Sequence, residues 1–264
     1  MKRPGLRLGV VAALLYGFLY APLAAVVVAS FNAARFGAEW RGFTLEWYRT
    51  LGGDAQAWAA TRCTLEVALA STLVATVLGT LLGYGLERGR FPGRDACHWL
   101  LQIPVFLPDI VLAVALLLFY AAAEQLMGGP ERGRLTMILA HVTFEIPFVA
   151  IVVRARLLGI DPALEEAARD LGADEWRTFR WVTLPLLRPG ILAGAMLAFT
   201  LSLDDFVVSF FTNGPGATTL PILIYSSVKR GVTPEINALS TLVVLASLAG
   251  TLGAAWLQRK RRPG

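Results

Sequence analysis

Six stretches of this chain stay apolar for about the length of a membrane helix, and charged or turn-forming residues bound each one. A bilayer core of about 30 Å takes about 20 apolar residues in helical form. The pattern predicts spans at 8–30, 65–86, 99–122, 135–153, 189–211 and 236–257. The first and last carry no charge, and the second has one acid, Glu66, near its start. The third contains Asp109, the fourth His141 and Glu145, and the fifth Asp204 and Asp205. These spans take up about half the chain and leave no segment large enough for a separate soluble core. The expectation is one all-α, polytopic membrane domain over residues 1–264.

Composition supports this. The chain is 56% hydrophobic and 16% charged, with a mean hydropathy of +0.59, whereas soluble domains average about 25% charged residues. Lys2, Arg3 and Arg7 ahead of an apolar run resemble a signal peptide, with an Ala-rich mimic of a cleavage site near Leu23–Ala25. A signal core is only about 7–15 residues, and this run continues to Ser30, so a retained helix is predicted.

The pI of 9.6 suggests nucleic acid until the basic residues are placed on the spans. Lys2, Arg3, Arg7, Arg88, Arg90, Arg94, Arg154, Arg156, Arg169, Arg177, Arg180, Arg188 and the ending Arg259-Lys260-Arg261-Arg262 fall on one side. The other side holds half as many: Arg35, Arg41, Arg49, Arg62, Arg132, Arg134, Lys229 and Arg230. Positive charge concentrates on cytoplasmic loops. Both termini are therefore expected in the cytoplasm, and no nucleic-acid partner is needed. Cys63 then lies outside and Cys97 inside, so they cannot bridge.

Three connections carry pattern. Residues 31–64, outside, place Trp40, Trp47, Tyr48 and Trp58 as interfacial aromatics and predict a short surface helix over Thr44–Leu51. Residues 212–235, also outside, open on the turn Asn213-Gly214-Pro215-Gly216 and continue as a short apolar helix from Pro221 to a stop at Gly231. Thr233-Pro234 then caps the last span. Between the fourth and fifth spans, residues 161–185 read as a cytoplasmic helical knob. Asp161-Pro162 starts a helix over Ala163–Leu171, Gly172 ends it, and a second short helix runs from Asp174 to Val182, closed by Leu184-Pro185. Ala167 and Ala168 let a facing surface approach closely, and Glu165, Glu166, Arg169 and Asp170 suit a polar docking contact. A structural cap is the plainer reading of the same knob.

As letters, the knob is Glu166-Ala167-Ala168, Gly172 four residues on, then Val182, Thr183, Leu184 and Pro185. It closely resembles the EAA signature of the inner-membrane permease subunits of binding-protein-dependent ABC importers, with Val182 where the family commonly has isoleucine. The resemblance implies the type I importer permease fold with six helices. It also implies that the knob seats in a cleft of an ATPase subunit with Glu166, Ala167 and Gly172 as the docking core, and the adjoining Glu165, Ala168 and Asp170 complete the candidate coupling residues. Further stretches resemble the second permease subunit of the spermidine/putrescine branch: Ser30-Phe31-Asn32 with Arg35-Phe36-Gly37, Pro108–Val111, His141–Phe144, Leu201–Ser209 and Tyr225–Leu239. The implied partners are a sister permease, two ATPase subunits that bind ATP and Mg²⁺, an extracytoplasmic polyamine-binding protein and membrane lipid. The implied location is the bacterial inner membrane.

Ionisable residues inside a bilayer are costly and usually functional. Asp109 is expected near the midplane, Glu145 at similar depth, and Asp204 and Asp205 in the outer half of the fifth span. No Lys or Arg lies deep inside to pair with them, so the interior is net negative and suits a cation. Asp204, Asp205, Asp109, Glu145 and His141 are the candidate path residues. Adjacent residues lie about 100° apart on a helix, so one of Asp204 and Asp205 lines a path while the other meets a neighbour or caps a break. His141 and Glu145, four apart, read equally as an internal hydrogen-bonded pair.

The chain has no GxxxxGK[ST] loop, no nucleophile set and no metal-ligand cluster. No enzyme activity, metal or cofactor is expected in it. Gly79–Gly85 suits helix packing. Rival readings are a permease for another small organic solute or cation, and a secondary transporter or channel, which would leave the knob without purpose.

Overall fold

The computed structural model describes residues 6–34, 39–231 and 233–260. Lys2, Arg3, Arg261, Arg262 and the segment Arg35-Phe36-Gly37 lie outside the described residues. The chain divides into two compact units, Met1–Trp58 with Leu223–Gly264, and Ala59–Ile222.

In the first unit, α1 (Leu6–Ala29) is a helix of 24 residues. The connection after it folds around Asn32. The Asn32 side chain donates to the Glu39 carbonyl and accepts from the Ala34 and Arg41 amides, while its carbonyl accepts from the Trp47 indole at 2.7 Å. These bonds seat α2 (Glu46–Gly52), the short helix expected here. Trp47 is buried in that arrangement, whereas Trp40 and Trp58 are exposed. After α11 (Leu220–Arg230), Gly231 turns at φ +120° and α12 (Pro234–Lys260) begins with proline at its first position.

The second unit is built on α3 (Ala55–Arg88) and α6 (Arg134–Leu158). Two glycines bring them together. A Cβ on Gly79 would sit 2.7 Å from Val149 Cβ and 2.9 Å from the Ile146 carbonyl, and one on Gly83 would sit 2.7 Å from the Ala150 carbonyl. Small residues thus allow backbone-level contact where lipid supplies no hydrophobic drive. α6 is the most enclosed of the apolar helices. Its inner face buries Val149, Val153 and Leu157 against Leu187 and Ala198.

Five described helices are long and apolar enough to cross a membrane, and Pro234–Ala249 is a shorter apolar one. The third expected span is not continuous. Leu107 and Pro108 are both extended (ψ 138° and 134°), splitting it into α4 (Arg94–Phe106) and α5 (Asp109–Met127). A residue before proline is pushed out of the helical region, and here that ends the helix.

The second knob helix also departs from expectation. α8 (Glu175–Thr178) runs through a π-helical turn, Phe179–Thr183, directly into α9 (Leu184–Asp204), so Leu184-Pro185 closes nothing. The Leu184 amide reaches back to the Phe179 carbonyl, and Pro185 falls in the first turn of α9, where a missing N–H is tolerated. The fifth span itself breaks: α9 stops at Asp204, Asp205 is extended (ψ 122°), and α10 (Val207–Thr212) follows.

Candidate functional site

Two places in the second unit interrupt its helices with polar residues. The first is the break between α9 and α10. Asp205 is fully engaged there. Its Oδ1 accepts from the Val208 amide at 3.2 Å and its Oδ2 from the Ser209 amide at 2.7 Å. A carboxylate just ahead of a helix satisfies the orphan amides of its first turn in this way. Its Oδ2 also lies 3.4 Å from His141 Nε2.

His141 is buried between these elements, sharing hydrogen bonds with Ser209 Oγ through Nε2 (2.9 Å) and with Ser202 Oγ through Nδ1 (2.6 Å). Ser202 lies 3.3 Å from Ser71 Oγ on α3, and Ser71 donates to Glu145 Oε1 at 2.7 Å. Glu145 is fully buried and its Oε2 has no hydrogen-bond partner. One polar chain thus ties α3, α6, α9 and α10 together. His141 and Glu145 belong to it jointly, although their own contact is long, at 3.9 Å. The three serines were not singled out from sequence. The signal was their spacing, since Ser202 and Ser209 stand three before and four after Asp205.

Asp204 differs from its neighbour. It is exposed at the last residue of α9 and forms no ion pair among the described residues. The last turn of a helix presents carbonyls without intrahelical donors and carries the negative end of the dipole. Carboxylate and carbonyls together make the end of α9 attractive to cations. Asp109 is not at mid-span. It is the first residue of α5 and exposed, where a carboxylate complements a helix N-terminus.

The second interruption is the knob. α7 (Ala163–Asp170) starts where Asp161 Oδ1 accepts from the Ala163 amide. It ends in a Schellman turn. The Ala173 amide donates to the Ala168 carbonyl and the Gly172 amide to the Arg169 carbonyl, with Gly172 at φ +87°.

Glu165, expected among the docking charges, instead points inward and is 3% exposed. Its Oε1 accepts from Thr183 Oγ1 at 2.9 Å and its Oε2 lies 3.2 Å from Arg88 Nε at the end of α3. A carboxylate on a short helix is drawn inside where a buried hydroxyl and a guanidinium wait for it. Glu166, Ala167, Asp170 and Gly172 are exposed and Ala168 half-buried. Beside them stand apolar side chains that sequence reasoning passed over: Leu171 is 90% exposed, Trp181 72% and Trp176 64%. Two tryptophans in a loop outside the spans were the available signal. Arg154 braces the base of the same region, donating from Nε to Glu87 Oε2 at 2.6 Å and lying beside His98 on α4.

A membrane bundle with a broken, acid-bearing span and a helical knob whose apolar side chains are exposed has the make-up of one class of protein, a multi-pass transport subunit. Comparison with known proteins places it more closely. Residues 75–263 match the family described as binding-protein-dependent transport system inner membrane component. The chain is 43% identical over 244 residues to the putrescine transport system permease protein PotI of Escherichia coli (strain K12), covering 91% of this chain and 86% of that one. It is 40% identical over 250 residues to the spermidine/putrescine transport system permease protein PotC of the same strain, covering 95% and 93%. A bacterial ABC transporter that imports alginate has the same fold, with a TM-score of 0.79 at 20% identity over 98% of this chain and 96% of that one. This chain belongs to the family: it is an inner-membrane ABC importer permease of type I fold, non-catalytic, and a separate subunit hydrolyses ATP.

Proposed function

We propose that this permease forms half of the path by which a polyamine of the putrescine/spermidine class, delivered by an extracytoplasmic binding protein, enters the cell. A sister permease supplies the other half, and two ATPase subunits, which bind ATP and Mg²⁺, drive the cycle. Both termini and the knob face the cytoplasm, as the distribution of Lys and Arg supports. Residues 31–64 and 212–235 face the binding protein.

Asp204 carries this reading: an exposed, unpaired carboxylate at the negative end of a helix that breaks within an apolar span. Half-helix C-termini at such breaks are suited to cations. Asp204 is the acid that meets cargo, while Asp205, His141 and Glu145 hold the break in shape and Asp109 adds a carboxylate at the start of α5. Tight binding would trap the cargo, so spaced weak contacts suit conduction. On the knob, Glu166, Ala167, Ala168, Asp170 and Gly172 form the ATPase contact, and Glu165 couples that contact to α3 through Arg88. The relatives PotI and PotC, named for putrescine and spermidine/putrescine transport, support the choice of cation.

The test is uptake by the reconstituted complex carrying Asp204→Asn or Asp205→Asn. Asp204→Asn is expected to lower polyamine uptake about tenfold with assembly intact. Unchanged polyamine uptake in Asp204→Asn would defeat the assignment.

A further inference from the structure

Three threonines on α3 differ from five others in helices of this chain, and share with Thr178 on α8 a buried hydroxyl oxygen that has no hydrogen-bond partner. Thr64, Thr143, Thr200, Thr212 and Thr241 each donate the side-chain hydroxyl to the carbonyl four residues earlier, at 2.7–3.0 Å. That back-bond is the ordinary way a hydroxyl is satisfied inside a helix. Thr72, Thr76 and Thr80 do not make it. Their hydroxyl oxygens are buried and have no hydrogen-bond partner at all. Thr80 as a whole is only 7% exposed. Buried polar atoms are almost always paired, so an unpaired set calls for an explanation.

The set is regular. The three residues are spaced four apart and lie on one face of α3, with successive hydroxyls about 6 Å apart along the axis. They flank the face that meets α6: Ser71 beside Thr72 donates to Glu145, and Gly79 beside Thr80 touches the α6 backbone. Glu145, which Ser71 reaches on the adjoining α6-facing side, about 100° around α3 from Thr72, has an unpartnered, fully buried oxygen of its own, Oε2. A column of unpaired hydroxyl oxygens, with an unpaired carboxylate oxygen on the adjoining face, is a series of sites for N–H donors. A spacing of about 6 Å is that of the two ammonium groups of an extended short-chain alkyl diamine.

The geometry points to Thr72, Thr76 and Thr80 as a ladder of contacts for the ammonium groups of the transported polyamine, read against its carbon spacing. This rests on the polyamine reading above and adds to it the element that measures chain length. In the conformation described the rungs are covered. They receive cargo when the helices around α3 part, and until then they stay unpaired. A sister permease docking on the outside of α3 does not explain them, because these oxygens are already enclosed by this chain.

The test uses the complete complex of both permeases, ATPases and binding protein, with Thr72, Thr76 and Thr80 changed together to valine, which keeps the shape, and separately to serine, which keeps the hydroxyl. Uptake is followed for diamines of three, four and five carbons, alongside ATP hydrolysis stimulated by the loaded binding protein. The valine set is expected to lower uptake of the preferred diamine about tenfold and to flatten the preference among the three lengths, with stimulated hydrolysis retained. The serine set is expected to restore both. Equal uptake and preference in the valine set would overturn the ladder and leave the polyamine reading standing. So would equal loss in the valine and serine sets, which marks a packing role. A wild-type complex that transports no diamine or polyamine would remove the polyamine reading, and the ladder with it.

Discussion

The knob and the break between α9 and α10 handle polar groups in opposite ways. At the knob the acid Glu165 points in, toward Arg88 and Thr183, while Leu171, Trp176 and Trp181 point out. At the break, Asp205, His141 and three serines close on one another, and Asp204 alone among these groups is exposed. A buried carboxylate is tolerable in either place only because its partners are arranged around it. What each region leaves outside differs in kind: apolar area at the knob, negative charge at the break.

The sharpest way to break this contrast is His141→Leu. It strips partners from Ser202, Ser209 and Asp205 together, and unpaired buried polar groups cost about 1–3 kcal/mol each. A loss of several degrees in the melting temperature of the detergent-solubilised complex is expected. An unchanged melting curve would mean the network does not hold the break.

Glu165→Ala should come next. It leaves Thr183 without its acceptor and Arg88 without its ion-pair partner, at about 1–3 kcal/mol, reduced because Arg88 keeps some solvent contact. Faster proteolysis of residues 161–185 and ATP hydrolysis uncoupled from uptake are the expected signs. Glu166→Ala, on the exposed side, is expected to leave proteolysis unchanged.

Asp205→Ala removes a helix cap worth about 1–2 kcal/mol and should lower stability measurably. Asp204→Ala should leave the melting temperature within error while reducing uptake. If both aspartates shift stability equally, the division of labour between them is wrong. Gly172→Ala should be the mildest, since forcing a side chain into the left-handed region costs about 1 kcal/mol. Its effect should appear as a small drop in knob stability, with Gly85→Ala, which meets open space, as the silent control.

Much of this molecule was legible in order along the chain. Apolar length located the membrane helices, Asp161-Pro162 and Gly172 set the bounds of α7, and the turn at Asn213–Gly216 and the start at Pro234 were visible as local chemistry. Errors arose where a local signal had two outcomes. Pro108 ended a helix, whereas Pro185 was absorbed in a first turn behind a π-helical segment, and both look alike as letters. Asp204 and Asp205 are identical residues, yet only one found amides to cap.

Local composition and spacing were enough to require that the chain cross a membrane as helices, carry a folded knob between two spans, and place acids within its apolar stretches. Which acid is engaged by its neighbours, which glutamate turns inward and which hydroxyls stay unpaired were settled by packing alone. Those outcomes depend on partners brought together from α3, α6, α9 and α10, as far apart in sequence as Ser71 and Ser202. No periodicity records which buried donor will stand beside which acceptor; packing decides it.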